Sequence, residues 1–315
     1  MPTPLYPLTF SPLLKVRVWG GARLATLGKP AAGAEPIGES WELVDLPEDQ
    51  SVVDAGPLAG TRIGELVRDR APELLGPVPL DGGSFPALVK TIDAAQTLSV
   101  QVHPDAKTAG RLGGRPKSEA WYILDAQAGA VLYVGLRHGA TRDSYARAVG
   151  EGHVEELLVP LPVRRGDLVP VIPGTVHAIG GGVLLAEVQQ PSDTTYRVYD
   201  WGRVGLDGKP RSLHLDEALQ SIHFGAPPPE PAPGEVDLGV FRLEVVDLER
   251  GRSAALGGVG PRVVVGVEGE SRVTWGGAAA ATPRGRVVLV PHSCANARLE
   301  ADGPARALVT RFRAR

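Results

Sequence analysis

The chain has a single cysteine, Cys294, and a single methionine in 315 residues. One thiol cannot close an internal disulfide, so a secreted scaffold held by disulfides is excluded as a design. No run approaches the roughly 20 apolar residues that a membrane-spanning helix needs. The first residues, MPTPLYPLTFSPLLKV, lack the basic stretch and apolar run of a secretory signal. No block of lysine or arginine appears and the net charge is −3, which argues against a nucleic-acid-binding surface. These absences leave a soluble cytoplasmic protein as the expectation, with no membrane and no nucleic-acid partner. What the chain has in quantity is glycine and proline, 40 and 29 residues. That abundance predicts many turns and short strands.

Strand patterns dominate. FPALVKTIDA, LSVQVH, EAWYILDA, AVLYVGL, DLVPVI, VLLAEVQ and TYRVYD all read as β. Helical patterns interrupt them at 61–75, with Thr61 as the expected N-cap, at 105–114, at 141–159 with a break near Gly150 and Gly152, and at 213–222. The Pro-rich stretch GAPPPEPAPG (225–234) reads as a linker. Beyond it FRLEVVDL, RVVVGVEG, SRVTWG, RVVLVP and ARALVTRF form an all-β module. The expected organisation is a larger domain over 1–224, a linker over 225–234 and a small β domain over 235–315.

The segment LSVQVHPD (98–105) carries the first chemical signal. Strict alternation puts Leu98, Val100 and Val102 on one face and Ser99, Gln101 and His103 on the other. Pro104 then ends the ladder. A solvated face would carry miscellaneous charges, whereas this one aligns a hydroxyl, an amide and an imidazole. A second signal is GDLVPVIPGTVHAIGGG, where two glycine turns bracket a strand and His177 follows. Its spacing resembles the second sequence motif of cupin barrels, whose histidine points into a small jelly roll. Here the motif's proline has moved one place, to Pro173.

In that scheme Gln101 and His103 share a face, and Glu119, opening EAWYIL, returns beside them. With His177 they offer a carboxylate, two imidazoles and an amide oxygen, a set suited to a divalent metal such as zinc. Gln101 either ligates directly or holds a ligand in place. The histidines at 138, 153, 223 and 292 carry no comparable pattern. Glu187 and Gln189 share a face within LLAEVQ, and pattern alone leaves both solvent and a polar lumen open to them. Lys117 stands two residues before Glu119, and Arg197 sits among apolar residues in TYRVYD.

VWGG, IGESWEL, FPALVKTIDA, LSVQVHPD, KSEAWY, GDLVPVIPGTVHAIGGGVLLAEVQQPSDTTYRVYDWGR and RSLH follow one another from about residue 18 to 214. Together they resemble the type I phosphomannose isomerases, in their short bacterial form. The resemblance implies a mainly β fold, a cupin jelly-roll barrel with helical insertions and a second, smaller, degenerate cupin-like half without a metal motif. It implies interconversion of mannose 6-phosphate and fructose 6-phosphate through an enediol. It also implies one zinc ion on Gln101, His103, Glu119 and His177. Arg197, Lys117 and Glu187 would line the reacting end, and Ser99, Lys90 and Arg203 the phosphate end. Glu187, Lys117 and a metal-bound water stay open as the proton-transfer base. Two other readings, a non-catalytic sugar-phosphate-binding cupin and a different metal-dependent cupin enzyme, use the same barrel.

Overall fold

A computed structural model describes residues 3–30, 33 and 35–314. Strands β1 (Leu8–Thr9), β2 (Leu13–Gly21) and β3 (Ile37–Leu43) are followed by helix α1 (Ile63–Leu75) and strands β4 (Leu88–Ala94) and β5 (Val100–Val102). Helix α2 (Ala106–Leu112), β6 (Glu119–Ala126), β7 (Val131–Leu136) and α3 (Arg142–Glu151) come next. Then follow β8 (Leu158–Pro162), β9 (Leu168–Val171), β10 (His177–Ile179), β11 (Val183–Gln189), β12 (Tyr196–Tyr199) and α4 (Leu215–Ser221).

Two antiparallel sheets face each other and form the jelly-roll barrel. One runs β2-β3-β4-β11-β6-β9, the other β12-β5-β10-β7-β8. Trp19, Ile92, Trp121, Val134, Ile179 and Leu185 pack together between them. The outer face of the smaller sheet buries Val100, Val102 and Val198 against Tyr145 of α3 and Ala218 and Leu219 of α4. Period-two strands, apolar on both sides of the sheet, account for this layering.

The remaining strands are β13 (Glu235–Asp237), β14 (Phe241–Leu248), β15 (Ser253–Ala255), β16 (Arg262–Glu268), β17 (Ser271–Trp275), β18 (Ala278–Ala281), β19 (Val287–Val290), β20 (Arg298–Ala301) and β21 (Ala305–Phe312). They form the sheets β1-β19-β16-β21-β14-β13 and β15-β20-β17-β18. The N-terminal β1 pairs with β19, so the chain's start completes a sheet otherwise made from its end. Val263, Val265, Leu289 and Leu308 of that sheet share one apolar core with Leu43, Val89, Tyr122 and Val188 on the outer face of the barrel. Within the Pro-rich segment, Ala232 donates its amide to the Leu168 carbonyl at 2.7 Å.

Helix ends follow local chemistry, with one correction. Asp105 caps α2 through Thr108, and Thr141 and Ser144 form a capping box on α3, which stops at Gly152. Thr61 does not cap α1: the helix begins after Arg62 with no side-chain cap bond, and the Thr61 carbonyl instead accepts from Val53. In VWGG, Gly20 is needed for close packing, because a Cβ there would lie 2.4 Å from the Gly38 amide nitrogen of the neighbouring strand.

Candidate metal centre and active-site cavity

Residues opposite one another on paired antiparallel strands share a face, and this rule assembles the site in two rows. In the larger sheet, Trp41 of β3 pairs with Lys90 of β4, Lys90 with Glu187 of β11, and Glu187 with Trp121 of β6. In the smaller sheet, His177 of β10 pairs with Gln101 of β5, and Gln101 with Arg197 of β12. The two rows face each other across the lumen. The alternation read in LSVQVHPD therefore does turn Ser99, Gln101 and His103 inward.

His103, Glu119 and His177 converge, with one ligand atom of each within 4.8 Å of the others, and all three are buried. His103 Nε2 lies 3.6 Å from Glu119 Oε2, and His177 Nε2 lies 3.4 Å from Oε1. Each imidazole is oriented from behind. His103 Nδ1 donates to the Thr194 carbonyl at 2.9 Å and His177 Nδ1 to the Thr175 carbonyl at 2.8 Å. Both Nε2 lone pairs are then left to face the cluster. The Pro173–Gly174 turn contributes to this: the Gly174 amide donates to the His103 carbonyl at 2.9 Å. Gly174 has φ 85°, and a Cβ there would strike the His223 ring.

Neither oxygen of Glu119 accepts a hydrogen bond, although both are buried. Lys117 Nζ touches Oε2 at 2.7 Å, an ionic contact without hydrogen-bond alignment. A buried carboxylate that faces two imidazole lone pairs and has a single ammonium beside it fits a divalent cation. The Gln101 amide nitrogen lies 3.3 Å from His177 Nε2. A half-turn of that amide presents Oε1 in its place. Burial and the neighbouring Lys117 push His103 down to about 4, and burial lowers His177. Both rings are therefore neutral near pH 7, the form that binds a metal. Burial would raise Glu119, but Lys117 and His103 outweigh it and hold the carboxyl well below its usual range. Burial also opposes the Lys117 ammonium, while Glu119 and Glu187 together raise its pKa.

A cavity of about 600 Å³ opens beside the cluster, within the size range of small-molecule sites. Gln101, Lys117, Glu187, Lys90, Ser99 and Arg197 all line it. Lys90 Nζ sits 3.1 Å from Glu187 Oε1, and Trp121 Nε1 donates to Glu187 Oε2 at 2.8 Å. Arg197 Nε donates to Ser99 Oγ at 3.3 Å and Nη1 to the Ser212 carbonyl at 3.0 Å. Arg203 is placed differently. It is not on the cavity wall, and its Nη2 donates to Asp200 at 2.8 Å. Arg211, which holds the same carboxylate through Nε at 2.7 Å, is on the wall.

Several lining residues escaped the sequence reading: Arg17, Glu39, Trp41, Arg211 and His214. Glu39 accepts from Arg17 through both oxygens, at 3.1 and 3.2 Å, and from Trp41 Nε1 at 2.6 Å. Lys90 Nζ in turn lies 5.3 Å from the centre of the Trp41 ring, within cation–π range. The available signal was period two in IGESWEL, which sets Glu39 and Trp41 on one face.

Residues 8–130 match the family model described as phosphomannose isomerase type I, catalytic domain. The mannose-6-phosphate isomerase ManA of Bacillus subtilis is 40% identical over 227 residues, 70% of this chain and 70% of that one. The crystal structure of the Bacillus subtilis mannose 6-phosphate isomerase superposes with a TM-score of 0.85 at 26% identity, covering 98% of this chain and 100% of the other. A zinc-bound mannose 6-phosphate isomerase shares the fold, with a TM-score of 0.74 at 15% identity over 98% and 100% of the two chains. With the barrel, the inward-facing His–Glu–His cluster and these similarities together, this chain belongs to the type I phosphomannose isomerase family.

Proposed function

We propose that this chain interconverts mannose 6-phosphate and fructose 6-phosphate, with one zinc ion per chain on Gln101, His103, Glu119 and His177. The observation that carries the reading is the buried Glu119 carboxylate facing two imidazole lone pairs beside a cavity lined by lysine, arginine and glutamate. When bound, the metal supplies Lewis-acid stabilisation of the negative charge that develops on adjacent sugar oxygens.

The chain's own groups supply the rest. Moving a proton between C1 and C2 needs a base with a free lone pair. Glu187 Oε2 is fixed by Trp121, while Oε1 accepts no aligned hydrogen bond and has the ionic contact of Lys90 Nζ at 3.1 Å, so that oxygen keeps a lone pair towards the cavity. Lys117 lies between Glu119 and Glu187 and is held in its charged form, which suits it to stabilising developing oxyanion charge. Glu187 is therefore the base that the geometry favours. Arg197 adds a guanidinium on the opposite wall with no carboxylate partner among the described residues. Ser99, Lys90 and Arg203 are assigned to the phosphate end. Ser99 and Lys90 are on the wall, where Lys90 also touches Glu187 and Ser99 also touches Arg197; Arg203 lies behind the wall and acts only by holding Asp200, whose other partner, Arg211, is the guanidinium on the wall.

The test is a coupled assay for fructose 6-phosphate formed from mannose 6-phosphate, before and after a chelator and again with zinc restored. Activity lost to the chelator and regained with zinc is the expected result. A folded, zinc-loaded protein with no turnover would refute the assignment.

A further inference from the structure

Two cations have a claim on Glu119. Lys117 Nζ sits 2.7 Å from Glu119 Oε2 and 3.3 Å from His103 Nε2. Those are two of the atoms that the metal reading assigns to the ion. The lysine is buried, so water does little to screen it from a dication on the same ligands. A second anion is within reach, since Glu187 Oε1 lies 4.0 Å from the same ammonium. That oxygen is already 3.1 Å from Lys90 Nζ, so Lys117 would share it rather than have it alone.

We propose that Lys117 is a brake on metal affinity: its ammonium competes with the bound ion for Glu119 and shifts towards Glu187 as the ion takes that oxygen. The inference rests on the metal-binding reading above. A site of two histidines, a carboxylate and an amide is then held below the affinity its ligands could reach. Metal loading also delivers the lysine to the side of the cavity where Glu187 acts. The lysine is thereby a tuner of the ion as well as a group in the cavity.

Zinc dissociation constants, measured by competition with a chromophoric chelator on the full chain, test this directly. Lys117→Met should bind zinc at least about tenfold more tightly than the unmodified protein, while Lys117→Arg, which keeps the charge, should stay within about threefold. The metal-stripped Lys117→Met protein should also melt lower, because Glu119 has lost its counter-ion, and zinc should raise its Tm by more. If Lys117→Met does not fold, Lys117→Gln carries the same expectation, since it keeps a donor without the charge. Neutral variants that bind zinc no more tightly than Lys117→Arg overturn the brake while leaving the metal site intact. If the unmodified protein takes up no zinc, or His103→Ala retains it fully, the metal reading fails and the brake falls with it.

Discussion

Glu39 offers a quantitative test of how the cavity wall is held. Its carboxylate is enclosed by Arg17 on both oxygens and by the Trp41 indole. Burial alone would raise its pKa, but Lys90, Arg17 and these hydrogen bonds outweigh it and bring the value from 4.5 down to about 2. A displacement of that size corresponds to about 3 kcal/mol of pH-dependent stability. The side chain is 12% exposed, and solvent screening trims the figure to about 2–3 kcal/mol. The sign follows from the depressed folded-state value. The contribution is complete above pH 4.5, falls as the unfolded chain takes up protons below that, and is gone below a pH of about 2. Urea unfolding of the natural protein and of Glu39→Gln, compared from about pH 7 down to about pH 3.5, isolates the term, because the other titrating groups are common to both. The stability gap should shrink by about 1 kcal/mol across that range. A gap of constant size would show that Glu39 is not ionised against its neighbours in the native state, and the account of the wall would have to be abandoned.

Two further outcomes are expected. Arg197→Ala should lower turnover by about 10²-fold or more while leaving bound zinc unchanged; loss of the metal with the side chain would make Arg197 a structural residue. Lys29→Met should destabilise the fold by about 3 kcal/mol, because it strands the buried Glu42 that Lys29 holds at 2.7 Å. Replacing both members, as Lys29→Met with Glu42→Leu, should recover part of that loss in a thermal melt, and equal melting of the single and double variants would contradict it.

Part of the candidate His103–Glu119–His177 cluster was legible from local rules, while the return of Glu119 beside the others followed only from the cupin resemblance. Period two turns Ser99, Gln101 and His103 to one side, and two glycine turns bring His177 to the end of a strand. Glu187 was half legible: its strand was clear, but whether it faced solvent depended on β4 and β6 flanking β11, which only the assembled sheet decides. The wall residues Arg17 and Arg211 were not legible, because their roles come from partners on other strands and loops. Lys117 shows the converse. It precedes β6, so strand alternation does not govern it, yet its long side chain still reaches Glu119. The strand Ala278–Ala281 was also missed, since alanine carries little β preference and pairing with Arg272–Trp275 determines it.

The cross-sheet row Trp41–Lys90–Glu187–Trp121 places an asymmetric constraint on insertions and deletions. Strand β11 is paired on both sides at Glu187, so adding or removing one residue within it would send the carboxylate outward and an aliphatic neighbour into the lumen. The tight turn at Gly180–Gly182, which leads into β11 and donates back to Ala94, has little slack to absorb such a change. The connection between Tyr199 and Leu215 reaches the cavity through its residues but does not set the register of that row. Length variation among relatives should therefore concentrate there, and should be rare between Ala178 and Gln189.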